Sequence, residues 1–210
     1  MRLTPIQLVQ GTIYAIEDAY NRLKDADILY KQKRYGNALA LTILGCEALG
    51  LFETLLEHWK NTKDSGGADI TVSDVDHLQR LRQGLQGSTL ILSPQHGKKL
   101  IELNEKTNEK EYRAYWASLS EAAEKKGKRD PEAIFKLRDR ALYVDPTEDG
   151  GWNRPSQVSC TEVCRVLCDV AGDYNMIRER IDLHEPGLKK AMDDWKDCPK
   201  LPPLDLPEPP

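Results

Sequence analysis

The sequence has little of what would point to several common classes of protein. Its 30 basic and 34 acidic side chains nearly cancel, with a formal net charge of −4, so no strong field favours nucleic acid or an anionic membrane. The first ten residues lack a charged segment followed by an apolar run and a cleavage site, so we do not expect a signal peptide. No second copy of a 34-residue helical repeat is visible, which argues against a solenoid.

Cysteine is present in an odd number, five, and its placement is poor for disulfides. Cys46 lies in the most apolar part of the chain. Cys160, Cys164 and Cys168 are spaced by four residues, which puts them on one face of a helix. This pattern predicts free thiols packed as small core or interface residues, and a reducing, cytoplasmic compartment.

Histidine is also scarce, with four in the chain. The thiols at 160, 164 and 168 spread over about 12 Å of helix and cannot all reach one ion. His58, His77 and His184 have no partner at a spacing typical of metal ligands. We therefore expect no metal and no cofactor.

The most prominent feature that is present is an apolar helix over residues 35–61. Between residues 38 and 56 the polar residues are Thr42, Glu47, Glu53 and Thr54. Apolar residues recur at steps of three or four and cover most sides of the helix. A membrane span is the competing interpretation, but two glutamates inside the run make it costly. The run therefore predicts the buried central helix of a bundle.

The rest of the chain also has helical periodicity, and no strand pattern of comparable strength is visible. Thr4 and Pro5 predict the start of a first helix, which should form an antiparallel hairpin with the central one. Further helices are predicted from about Ser73 to 87, from Pro94 to about 129, from Pro131 to just before Asp145, from Ser156 or Ser159 to about Leu183, and from Leu188 to Trp195. The predicted class is all-α, a helical bundle with a central hairpin and extra helices.

The predicted domain organisation is one helical domain over residues 1–198 and a tail over residues 199–210. Six of those last residues are proline and few could contribute to a core. Such a composition predicts an extended or disordered segment that buries little.

Several segments together resemble the AbiV family, abortive-infection proteins of bacteria with a HEPN-like helical fold. The stretch from Tyr30 to Gly50 resembles the family's helical hairpin. His96 with Lys98 and Lys99 resembles its His-plus-Lys segment, Arg138 to Asp145 its "LYVD" segment, and Trp152 to Ser156 its entry to the last helix. The resemblance spans about residues 15–180.

The resemblance implies a HEPN-like bundle that acts in antiphage defence by arresting infected cells. Two mechanisms stay open under this implication. One is a toxin that acts on RNA or translation, as a metal-independent ribonuclease. The other is a non-catalytic dimeric helical module that binds a phage or cellular protein. HEPN-like bundles usually pair around a late helix, so the resemblance also implies a homodimer, with no membrane partner.

The resemblance also implies candidate site residues. HEPN proteins that cleave RNA carry an arginine and then, after four to six intervening residues, a histidine; Arg138 matches the arginine. Asp139 stands where such proteins often have Asn or Asp, but Tyr143 occupies the histidine position, and tyrosine is a poor base at neutral pH. His96 is the candidate for the missing imidazole. Lys98, Lys99 and Arg140 are weaker candidates for phosphate binding. The competing interpretation is structural, with the arginines solvated or paired with Asp139, Asp145 or Glu47.

Glu47 is a carboxylate inside an apolar helix, so it must be paired, hydrogen-bonded or protonated. It could orient Arg138 or His96 within a site, or it could tie two helices together without any further role. An unpaired charge at this buried position would be costly, which favours the structural role.

Overall fold

The computed structural model describes residues 2–62, 66–71, 76–77, 80, 111, 114, 131–146 and 151–205. Five α-helices account for most of this part of the chain: α1 (Pro5–Lys31), α2 (Tyr35–Thr62), α3 (Pro131–Leu142), α4 (Cys160–His184) and α5 (Pro186–Asp193). Two-residue strands pair antiparallel, β1 (Arg2–Leu3) with β2 (Ala68–Asp69) and β3 (Asp145–Pro146) with β4 (Trp152–Asn153). The all-α prediction is confirmed.

The start of α1 follows the predicted capping pattern. The Thr4 hydroxyl accepts a hydrogen bond from the Gln7 amide at 3.3 Å, and the Gln7 side chain accepts one from the Thr4 amide at 2.9 Å. This reciprocal arrangement satisfies amide groups that would otherwise lack partners at the helix start. Pro5 occupies the first turn, where its missing N–H costs nothing.

A tight turn joins α1 to α2 and makes them an antiparallel hairpin. Lys33 has a φ of 61°, in the left-handed region that non-glycine residues rarely adopt. The amide of Lys33 donates to the Tyr30 carbonyl and that of Arg34 to the Leu29 carbonyl, both at 2.9 Å. These bonds close the end of α1 and reverse the chain within three residues.

Helix α2 lies at the centre of the core and packs against α1, α3 and α4. Within the described residues it is long and apolar enough to cross a membrane, but 78% of that stretch is buried inside the protein. Its apolar faces therefore meet other helices, as the sequence predicts. The largest fully buried side chains come from α1, α2 and α4: Tyr174, Phe52, Leu8, Ile13, Ile16, Leu23, Leu39, Ile43, Leu49, Leu167 and Ile181.

The short 3₁₀ turn Pro155–Gln157 sits directly against the first turn of α2. A Cβ atom built on Gly36 would lie 2.6 Å from the Pro155 carbonyl oxygen. Glycine is therefore required there for close approach. This contact fixes the entry to α4 beside the start of the central helix.

Residues 199–205 make hydrogen bonds to α4 and apolar contacts with the core. The Tyr174 hydroxyl donates to the Pro202 carbonyl at 2.8 Å. The Asn175 side chain exchanges two hydrogen bonds of 2.9 Å with the Leu204 backbone. Leu201 and Leu204 also pack on the core. Residues 206–210 lie outside the described part of the chain.

The other predicted boundaries agree with the structure to within about three residues where it describes them. Ser159 is the N-cap of α4, one of the two predicted starts, and α5 begins at Pro186 rather than Leu188. The helices predicted over residues 73–87 and 94–129 fall almost entirely outside the described residues.

Candidate functional site

A buried carboxylate on α2 is the centre of the candidate site. Glu47 is 3% exposed, and each of its two oxygens has a partner from a different part of the chain. Arg138 Nη1 on α3 donates to Oε1 at 2.9 Å, and the Nδ1 atom of His77 lies 2.6 Å from Oε2. The carboxylate therefore bridges an imidazole and a guanidinium. We call these three residues the bridged cluster.

Arg138 is held from three directions. Besides the bond to Glu47, its Nε and Nη2 atoms donate to Asp139 Oδ1 at 3.3 and 3.2 Å. Its guanidinium carbon lies 3.9 Å from the centre of the Phe135 ring, a close cation–π contact. The side chain is 13% exposed. Because the guanidinium is clamped, its position is set before any ligand arrives.

His77 lies on the accessible side of the bridged cluster. Its side chain is 60% exposed, against 4% for that of Glu47. The carboxylate anchors the Nδ1 edge of the ring. An imidazole changes charge near neutral pH, so a fixed and accessible one can exchange protons with a bound molecule.

Glu47 and Arg138 are the predicted candidates that the structure brings into direct contact, with Asp139 beside them. This pairing fits both interpretations of Glu47, since it orients Arg138 and also ties α2 to α3. Tyr143 is 57% exposed. Among the described residues it makes no side-chain hydrogen bond or ring contact with the bridged cluster.

The other predicted candidates are not in the bridged cluster. Arg140 points to the start of α4, where its Nη2 donates to Glu162 at 2.6 Å. That ion pair ties α3 to α4 and occupies the side chain. His96, Lys98 and Lys99 lie outside the described residues, so their roles stay predictions.

His77 was not predicted as a site residue: with His58 and His184 it was considered only as a metal ligand, and His96 was the candidate for the imidazole. The useful signal was the buried charge of Glu47, which demands cationic or hydrogen-bonding partners. In a chain with four histidines, each imidazole was a candidate for that role. The separation of 30 residues gave no local pattern from which to choose among them.

The three helical cysteines lie apart from the bridged cluster. Cys160 Sγ is 3.1 Å from the Tyr30 hydroxyl, and the sulfurs of Cys164 and Cys168 are 4.0 Å apart. Burial, helped by the neighbouring Cys164, raises the pKa of Cys168 to about 11, which disfavours the reactive thiolate. Within the described residues no group of three His, Cys, Asp or Glu side chains is placed to hold a metal ion.

The helical bundle, with Arg138 of α3 held beside the central hairpin, is consistent with the HEPN-like class. Comparison with known families is more specific. The AbiV family model, HEPN_AbiV, matches residues 7–174, and the chain belongs to this family. Membership indicates an abortive-infection defence protein. Comparison with curated proteins and with solved structures gave no match.

Proposed function

We propose that this AbiV-family protein acts in abortive infection as a toxin that cleaves RNA at the bridged cluster. The observation that carries the proposal is the Glu47 carboxylate, which holds an accessible imidazole and a clamped guanidinium together. RNA cleavage by the 2′-hydroxyl needs a group to take its proton and a cation to stabilise charge on the phosphorus. His77 and Arg138 supply these two functions.

The hydrogen bonds define which nitrogen of His77 would act as the base. Glu47 already accepts a bond from the guanidinium of Arg138, and an ionised carboxylate can only accept. The 2.6 Å contact to His77 is then an Nδ1–H donating to Oε2. The proton sits on Nδ1, and Nε2 carries the free lone pair. The same logic orients the histidine in other carboxylate–imidazole pairs.

Arg138 keeps donors for a phosphate. A guanidinium has five N–H bonds, and three of them are engaged by Glu47 and Asp139. Among the described residues no group engages the other two, which lie one on each terminal nitrogen. A phosphate bound there would meet a cation that needs no reorganisation, the condition for strong stabilisation of the transition state.

The proposed reaction is a transesterification that needs no co-reactant. The 2′-hydroxyl transfers its proton to Nε2 of His77 while its oxygen forms a bond to the adjacent phosphorus. The bond from phosphorus to the 5′-oxygen breaks, and that oxygen takes a proton from water or from the His77 imidazolium. The products are a 2′,3′-cyclic phosphate and a free 5′-hydroxyl. Arg138 neutralises the extra negative charge on the phosphoryl oxygens as it develops.

The test is cleavage of total RNA by the purified protein, with EDTA present to suppress metal-dependent contaminants. Arg138→Ala should lower the rate by ~10²–10³ and abolish toxicity in cells. Lys136→Ala is the matched control, since it removes an exposed positive charge from the same helix. Toxicity in cells without Arg138-dependent cleavage would exclude the proposed nuclease.

A second candidate function, protein binding, is favoured by a patch at the end of α3. Leu142, Tyr143 and Val144 are consecutive, apolar or aromatic, and 43%, 57% and 59% exposed. Adjacent exposed side chains of this kind are typical of interaction surfaces. We propose a second copy of the chain as the first partner to test. A protein that remains a monomer at micromolar concentration by light scattering would exclude this homodimer and leave a phage or host protein as the candidate.

A further inference from the structure

A cavity at the end of the bundle lies where the first turns of α1, the last turns of α2 and the end of α5 meet. Its volume is about 510 Å³. Clefts of roughly 300–1,000 Å³ are typical of small-molecule sites. The side chains that matter to the argument are Ile6, Val9, Gln10, Trp59, Asp194 and Trp195. We call this space the indole cavity.

The two indole rings that line the cavity are positioned by contacts within the protein. Trp195 packs edge to face with Tyr14, with ring centres 5.5 Å apart and an interplanar angle of 84°. Trp59 lies against Gly187: a Cβ atom built on Gly187 would lie 3.1 Å from Cη2 of Trp59. Both rings are therefore held in place without a ligand, which reduces the entropy lost on binding.

The polar groups of the cavity define the charge of its occupant. Gln10 and Asp194 provide an amide and a carboxylate, and none of the described residues that line the cavity is basic. Asp194 is exposed and has no ion-pair partner among the described residues. Indole faces attract cations, and a carboxylate beside them adds direct charge complementarity. The walls otherwise consist of apolar side chains, which favour an apolar body.

We propose that the indole cavity binds a small organic cation, an ammonium group carried on an aromatic or alkyl body. This site is separate from the bridged cluster: Trp59 follows Glu47 by twelve residues on α2, about 18 Å along the helix axis. The inference does not depend on whether the protein cleaves RNA.

The experiment compares three probes that share one body and differ in charge: 4-phenylbutylamine, 4-phenylbutanol and 4-phenylbutyrate. Binding to the full chain is followed by tryptophan fluorescence and confirmed by calorimetry. The amine should bind about fivefold more tightly than the alcohol, from the cation–π contribution and the Asp194 carboxylate together, and 4-phenylbutyrate should bind most weakly. Equal affinities for all three, or no binding at millimolar concentration, would overturn the proposal.

Three variants locate the site. Asp194→Asn should remove much of the preference for the amine while keeping the affinity for the alcohol. Ile6→Ser should weaken all the probes that bind, whereas Leu183→Ser, a similarly exposed position on α4, should change nothing. Unchanged binding in both Asp194→Asn and Ile6→Ser would place the probes elsewhere. A change of oligomeric mass in Ile6→Ser would identify the cavity as an interface between copies and overturn the proposal.

Discussion

At the scale of single residues, the arrangement around Glu47 follows from the cost of burying a charge. A carboxylate inside an apolar helix is stable only with partners that balance it. Arg138 and His77 provide those partners, one for each oxygen. The bonds that stabilise the core also orient the two groups proposed to act on RNA.

Glu53 provides a control for the energetics of Glu47. Both lie on α2 and both accept hydrogen bonds from an arginine, but the Glu53 side chain is 21% exposed and that of Glu47 is 4%. We expect Glu47→Gln to lower the free energy of unfolding by about 3 kcal/mol, because Arg138 loses its buried counter-charge. Glu53→Gln should cost about 1 kcal/mol or less. Urea unfolding of the two variants measures the difference, and equal losses would show that burial does not decide it.

The partly buried thiol of Cys168 predicts how stability changes at alkaline pH. Its pKa is raised from 9.0 to about 11 in the folded protein, chiefly by burial. Between these values the unfolded chain has released the proton and the folded one has not, so stability is lost as pH rises from about 9 to 11. Burial also raises the pKa of Tyr174, in the same direction.

Cys168→Ala should therefore make the alkaline loss of stability shallower without changing its sign. The measurement is urea unfolding at several pH values above and below 9. A decline as steep as that of the unsubstituted protein would show that Cys168 does not contribute.

At the scale of elements, two helical glycines differ in the space around them, and their substitution by alanine should have opposite effects on stability. Gly36→Ala would place a Cβ 2.6 Å from the Pro155 carbonyl oxygen, and we expect a loss of about 1–3 kcal/mol. Gly172 lies within α4, and a Cβ there would meet nothing within 4 Å. Gly172→Ala should stabilise by about 0.5–1 kcal/mol. Melting temperatures of the two variants that shift in the same direction would contradict this account.

The contacts of residues 199–205 should stabilise the bundle, so removal of this segment should lower the free energy of unfolding. A truncation after Lys196 would also remove residues that follow α5 closely, so the chain is best ended at Cys198. That truncation removes three hydrogen bonds and the contacts of Leu201 and Leu204, for an expected loss of about 2–4 kcal/mol. Ending the chain at Asp205 is the matched control and should leave these contacts intact. Equal melting temperatures for the two truncations would restore the expectation of a tail that buries little.

Helix boundaries that depend on residues close together in the chain could be predicted from the sequence. The Thr4 hydroxyl caps α1 by accepting from the Gln7 amide, and the Ser159 hydroxyl caps α4 by accepting from the Glu162 amide. The segment 199–205 could not be predicted in this way. Its prolines indicated an extended chain, but they gave no sign of its hydrogen-bond partner, the side chain of Asn175, about 30 residues away. The amino-acid composition of the segment does not indicate which distant side chain it contacts.

At the scale of the whole molecule, the candidate site was predictable in part. A buried glutamate required a cation, and the family resemblance singled out Arg138, so their contact could be anticipated. The contribution of His77 could not, because it depends on how the chain beyond α2 returns to the central helix. No sequence motif near His77 indicates that its side chain contacts Glu47.

In the proposed cleavage of RNA, His77 acts as the base while Glu47 and Arg138 support it. The most direct measurement is the single-turnover rate of cleavage of a short RNA by the unsubstituted protein and by His77→Asn. Asparagine can still donate a hydrogen bond towards Glu47 but cannot accept the 2′-hydroxyl proton. The account predicts a loss of ~10²–10⁴ in rate, an unchanged melting temperature, and 2′,3′-cyclic phosphate ends on the products of the unsubstituted protein. Cleavage by His77→Asn at the unsubstituted rate would contradict it.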